Sequence, residues 1–221
     1  MDEGVKHTTF VEKMIAWGRE YRRDFPWRNE RDAFRILIAE ILLQRSRAKT
    51  VSKIYHELFD KWPTAESLAE APLAELEDTI RPLGLVRRAA TLKALAQDIK
   101  KLHKGVPNSM SELMGLPGVG RYIAAATVAT AFDSPEPLVD SVTGRVYRRF
   151  FGLASGKSHK SESSNPDRRL WDLVSGIIPE QRAHELNWAV LDLSASVCIP
   201  KRPRCEACPL KEHCEYVSVK R

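Results

Sequence analysis

Apolar side chains in this chain recur at three- and four-residue intervals almost from end to end, and no stretch alternates apolar and polar residues with period two. Phe10, Met14, Trp17 and Tyr21 form one such stripe; Phe34, Leu37, Ile38, Ile41 and Leu42 form a second; Leu92, Leu95, Ala96, Ile99 and Leu102 form a third. Residues so spaced share one face of a helix, whereas a strand would send them to opposite sides. "DFPW", "KWPTAE", "EAPLAE", "RPLGL" and "KGVPNS" interrupt the stripes and keep the helices at ordinary length. The pattern predicts an all-α fold. "ESLAEAPLAELEDTI" predicts two short helices with Pro72 in the first turn of the second. "RRLWDLVSGIIP" and "HELNWAVLDLSASVC" predict two more amphipathic helices near the C-terminus. The serine-rich tract 154–167, "ASGKSHKSESSNPD", is expected to be a mobile surface loop.

Lys and Arg number 35 against 29 Asp and Glu, a net charge of +6 that suits a polyanionic partner without identifying one. No apolar run reaches membrane-spanning length, and "MDEGVKHTTF" has neither the basic nor the apolar region of a secretion signal. A cytoplasmic protein with no membrane partner is expected, and the chain is read as a monomer.

Two local features stand out from this helical background. In "LMGLPGVGRYIAAATVATAF", Gly115, Gly118 and Gly120 precede a small-residue helix that starts near Arg121. Glycines permit positive φ and leave backbone amides uncovered, and the helix N-terminus adds its positive dipole. A phosphate can be held there by N–H groups, and such a contact ignores base sequence. The second feature is "CIPKRPRCEACPLKEHC", in which Cys198, Cys205, Cys208 and Cys214 fall in a C-x6-C-x2-C-x5-C run. All four cysteines of the chain lie there, which argues for one local metal site and against disulfides spread through a secreted fold. Four thiolates suit either zinc or an iron–sulfur cluster, and the spacing leaves both open. His213 is not needed as a ligand. Lys201, Arg202 and Arg204, inside the loop, are either phosphate contacts or a solvated charge run.

"LPGVGRYIAAA", the aspartate of "LVDSVTGRV" and the cysteine run, joined by "FPWR" and "AEILLQR", together resemble the helix-hairpin-helix DNA glycosylases of the endonuclease III superfamily. The resemblance covers nearly the whole chain. It implies two helical lobes: a barrel over 29–134 that contains the hairpin, and a second lobe made of 1–28 plus 135–221 with the cluster loop at 198–214. It also selects a [4Fe-4S] cluster as the cofactor, held by the four cysteines. The implied partner is double-stranded DNA with a mispaired or damaged base, which is flipped out of the stack and cut from its sugar.

By the same resemblance Asp140 matches the catalytic aspartate, a fixed negative charge for a sugar that becomes cation-like as the base leaves. Its sequence context alone suits a helix N-cap equally well, and the two roles can coexist. Tyr122 stands where strand-nicking members carry a lysine. A phenol cannot form their Schiff base, so the reading is a monofunctional glycosylase. Arg121 cannot replace the amine, because a guanidinium stays protonated. Glu40, Gln44 and Arg47, at i, i+4 and i+7, are expected on one helical flank. Glu40 would enter the base pocket, and Gln44 or Arg45 would fill the gap left by the flipped base. Leu85 resembles the wedge that enters the stack, with Arg87 and Arg88 either phosphate contacts or a solvated basic turn.

Two branches of the family carry segments of this kind. One removes thymine or uracil opposite guanine; the other removes adenine opposite 8-oxoguanine and needs an acid, the part Glu40 would play. Adenine glycosylases usually carry a further domain, and this chain stops seven residues after Cys214. Gln44-Arg45 is intermediate between the branches, and "NWAVLDLSASVC" has the flavour of the thymine branch. The thymine/uracil reading is preferred. A DNA-binding protein without catalysis would predict a degraded pocket, yet Asp140, Tyr122 and Glu40 are all present. A bifunctional glycosylase-lyase would need a lysine that the sequence lacks.

Overall fold

The computed structural model describes residues 2–102, 105–153 and 168–219, so the serine-rich tract lies outside the described residues. Its α-helices are, in chain order, α1 (Glu3–Tyr21), α2 (Ala33–Leu43), α3 (Ala48–Lys61), α4 (Ala65–Glu70), α5 (Leu73–Ile80), α6 (Arg88–Leu102), α7 (Met110–Met114), α8 (Arg121–Ala131), α9 (Thr143–Phe151), α10 (Arg168–Ile177), α11 (Ala183–Ser196) and α12 (Glu215–Ser218). No strand occurs among the described residues. The chain divides into two compact units, one of Asp24–Phe132 and one of Met1–Arg23 with Asp133–Arg221.

In the first of these units Phe34, Leu37, Ile38, Ile41 and Leu42 are buried together with Leu92, Leu95, Ala96 and Ile99, as their spacing requires. Leu102 ends its stripe at the surface, 44% exposed. α2 packs along α8, and the alanines of α8 are what allow that approach: Ala124, Ala125, Ala126 and Ala129 are all buried. Phe25 and Trp27 stack at 4.9 Å and close the same core.

α4 and α5 are the two short helices expected, although Pro72 is the N-cap of α5 and Leu73 its first helical residue. A larger departure concerns the end of α2. The helix stops at Leu43, Gln44 is its C-cap, Arg45 turns through φ 54° and Arg47 is the N-cap of α3. Glu40, Gln44 and Arg47 therefore do not share one helical flank. The left-handed residue redirects the chain, and hydrophobic spacing carries no record of it.

The other unit packs α1 against α11. A Cβ at Gly18 would lie 2.6 Å from Ala189 Cβ, so the two helices meet there backbone to side chain. Phe10 and Met14 are buried with Tyr147, Phe150, Val190 and Leu193, while Tyr21, at the end of its stripe, is 55% exposed.

Candidate functional site

The glycine turn sits between α7 and α8. Of its three glycines only Gly118 takes a positive φ, 76°. Gly115 is the C-cap of α7 in right-handed geometry, and Gly120 is extended, so the expectation of left-handed glycines reduces to one position. A Cβ on Gly118 would also lie 2.5 Å from Thr91 Cγ2. Gly118→Ala should therefore cost about 2 kcal/mol or more, read as a drop in the denaturation midpoint. Thr91→Ser should restore part of that loss by removing the methyl group, and the strained φ should retain the rest. α8 begins at Arg121, where the sequence placed it, and no side chain caps it. Arg121 is exposed; Tyr122 is half-buried against the core of its unit.

Gln44 Nε2 donates to the Gly118 carbonyl at 3.4 Å, so the loop after α2 lies beside the glycine turn. Gln44, Arg45 and Arg47 are exposed; Leu85, after a left-handed Gly84, is half-buried. Arg88 corrects an expectation. It is not a phosphate contact but a buried residue, 8% exposed. Its guanidinium donates to the Leu42 carbonyl at 2.8 Å, to Ser46 Oγ at 2.9 Å and to the Gln44 carbonyl. These are the carbonyls α2 leaves open at its C-terminus, where a cation also suits the helix dipole. Arg87 remains exposed.

Glu40 lies on α2 near Arg28, which is buried in the turn Pro26–Arg28. Burial pushes the Glu40 carboxyl up to about 7, against the lowering pull of Arg28. It thereby holds a proton near neutrality, as a general acid must. The folded state binds that proton more tightly than the unfolded chain, whose value is 4.5. This contribution to stability is full below the unfolded value and is lost as pH rises through the folded one. Glu40→Gln should escape that loss: its melting temperature relative to the wild type should rise by about 2–5 °C between pH 5 and pH 8. From the sequence Arg28 had no role beyond its place in "FPWR"; a charge within an otherwise apolar quartet was the available signal.

Asp140 belongs to the other unit and precedes α9. Its Oδ1 accepts from Val142 N (2.8 Å), Thr143 N (2.8 Å) and Thr143 Oγ1 (3.0 Å), while Asp140 N donates to Thr143 Oγ1 at 3.0 Å. The side chain thus holds the turn into α9 by accepting from the amides of Val142, the N-cap, and Thr143, the first helical residue, and stands two residues before the N-cap position that its sequence context suggested. All these bonds to the carboxylate fall on Oδ1, which leaves Oδ2 for another partner. A half-buried carboxylate held by three donors cannot swing away from its helix.

Cys198, Cys205, Cys208 and Cys214 line one pocket together with Val146, Phe150 and Leu210. Among the described residues no three Cys, His, Asp or Glu side chains converge closely enough to hold a single metal ion. Burial pushes the Cys208 thiol up to about 11. Arg149 of α9 donates to Cys198 Sγ at 3.4 Å and to the Ile199 and Pro200 carbonyls at 2.8 and 2.6 Å; Arg145 donates to the Cys198 carbonyl at 2.8 Å. Two arginines one helical turn apart thus hold the start of the cysteine loop against α9.

The sequence is 37% identical to the thymine/uracil-DNA glycosylase of Pyrobaculum aerophilum over 212 residues, covering 94% of this chain and 90% of that protein. It is 33% identical to the adenine DNA glycosylase of Rattus norvegicus, where the match takes in 94% of this chain and 41% of the longer protein. The fold matches a solved structure of a thermostable thymine-DNA glycosylase with a TM-score of 0.89 at 35% identity, over 98% of each chain. Residues 38–171 match the model of the HhH-GPD superfamily base excision DNA repair proteins. The chain belongs to the HhH-GPD superfamily of base-excision DNA repair proteins.

Proposed function

We propose that this protein is a monofunctional DNA glycosylase that releases thymine or uracil mispaired with guanine and leaves an intact abasic site. The observation that carries the reading is similarity to a thymine/uracil-DNA glycosylase over nearly the whole of both chains. Asp140 is the carboxylate assigned to the reaction. Its charge faces the cation-like sugar, and Oδ2 is the oxygen available to stabilise that charge or to orient the attacking water. The donors on Oδ1 spare the enzyme from reorganising the group during the reaction. Tyr122 offers a phenol and no amine, so the chain follows hydrolysis and not Schiff-base chemistry. Gly115, Gly118, Gly120 and Arg121 supply phosphate contacts through uncapped amides and a cation. Gln44, Arg45, Arg47 and Leu85 are the side chains assigned to the gap and its edges.

The four cysteines fit a [4Fe-4S] cluster. They line one pocket, yet they do not converge as a single ion demands, and a cubane spaces its ligands more widely. When bound, the cluster would fix the 198–214 loop and its basic residues Lys201, Arg202 and Arg204. A chromosomal substrate assigns the protein to the cytoplasm, and no helix among the described residues is long and apolar enough to cross a membrane.

Adenine removal opposite 8-oxoguanine is the second reading, and Glu40 is the observation that favours it: a carboxyl held near 7 can protonate a departing purine. The test is single-turnover base release from a panel containing G·T, G·U and 8-oxoguanine·A duplexes, with alkali added to half of each sample. Alkali-dependent breaks at thymine or uracil are expected. Breaks confined to adenine would transfer the assignment to the second reading, and breaks without alkali would overturn the monofunctional one.

A further inference from the structure

The stretch that delivers Asp140, "DSPEPLVD" from Asp133 to Asp140, lies outside the helices. Pro135 and Pro137 lack N–H donors and exclude both a helix interior and a regular strand ladder, so the backbone here has little means of holding itself. Asn187, in the middle of α11 and 1% exposed, meets it with both ends of its amide. Its Oδ1 accepts from Leu138 N at 3.0 Å, and its Nδ2 donates to the Glu136 carbonyl at 2.9 Å. These two backbone groups flank Pro137, so the side chain spans the proline and pairs with the segment as a neighbouring strand would. Only one orientation of the amide satisfies both bonds. Leu138 and Val139 are buried beyond it, and the next residue is Asp140.

From this geometry we infer that Asn187 is a positioning residue for base excision: its bidentate hold on Glu136 and Leu138 sets where the Asp140 carboxylate stands. The carboxylate is then fixed from two sides, by Asn187 upstream and by its own bonds to the turn into α9 downstream. This rests on the assignment of Asp140 as the reacting carboxylate. Loss of the upstream hold lets the carboxylate shift by a fraction of its bond distances, and misplacement of about 1 Å costs on the order of a hundredfold in rate. DNA binding, which draws on other residues, stays intact.

The experiment compares Asn187→Ala and the milder Asn187→Asp with Val190→Ala, a destabilising truncation of a fully buried neighbour on the same helix. Asn187→Asp keeps the acceptor for Leu138 N–H and turns a second acceptor toward the Glu136 carbonyl. Each variant is measured for melting temperature, for dissociation constant on a G·T duplex and for the single-turnover rate at saturating enzyme. The expected result is a rate about 10- to 100-fold lower for both Asn187 variants, with affinity within about twofold of wild type. Val190→Ala, at a comparable melting temperature, should keep its rate. Equal losses in the Asn187 and Val190 variants, or an unaltered rate in Asn187→Asp, overturn the inference. Asp140→Asn is run beside them: if it still releases base, the assignment of Asp140 fails, and if it is inactive while the Asn187 variants keep full rate, only the role of Asn187 fails.

Discussion

Asp140→Asn binds a G·T duplex as tightly as the wild type and releases thymine at least about a hundredfold more slowly under single-turnover conditions. The expectation follows from the division of labour on one carboxylate. Oδ1 is committed to Val142, Thr143 N and Thr143 Oγ1, and an asparagine oxygen can accept the same three bonds. The turn into α9, and with it the fold, therefore survives the substitution. What disappears is the negative charge at the second position, where asparagine offers an N–H₂ that repels a developing sugar cation. The loss should appear in the chemical step alone, since affinity draws on other residues. A variant that weakens DNA binding and rate in equal measure, or one that melts well below the wild type, would mean that Asp140 only holds this turn.

Cys208→Ser abolishes visible absorbance, reduces iron and acid-labile sulfide from about four each per chain to traces, and lowers the melting temperature by about 10 °C or more. The four thiols line a pocket walled by Val146, Phe150, Leu193 and Leu210 together with Arg149 and Lys211, and the segment that carries them has only short helical turns, Cys205–Ala207 and Lys211–His213. Arg145 and Arg149 secure its beginning through the Cys198, Ile199 and Pro200 carbonyls. With a cluster held by the four thiols, the pocket between them would gain most of its cohesion from that group. One zinc per chain and a colourless wild-type protein would overturn the cluster assignment and leave the loop as a zinc site.

Much of the architecture was legible because it rests on local rules. The stripes of α2 and α6 are buried, α8 starts at Arg121, and the four cysteines face one pocket. What escaped the sequence depends on where chains meet in space. No spacing rule announces that α2 ends at Leu43, because the cause is the left-handed backbone of Arg45. Arg88 looked like one more cation in a basic turn; its burial follows from the carbonyls that α2 leaves unpaired 44 to 46 residues earlier. Arg28 beside Glu40 and Asn187 beside Glu136 and Leu138 are likewise pairings of distant segments, and a residue type alone does not say which backbone it will meet.

The role of Arg88 has a consequence for how this surface can change. The backbone of the loop after α2 is satisfied from the inside, by one buried cation that reaches the Leu42 and Gln44 carbonyls and Ser46. The exposed side chains of Gln44 and Arg45 are correspondingly free of that duty. Substitution at 44 gives up only the bond to the Gly118 carbonyl, whereas position 45, at φ 54°, favours residues that tolerate left-handed backbone. The fold thus separates a buried fastening, Arg88, from an exposed tip at Gln44 and Arg45.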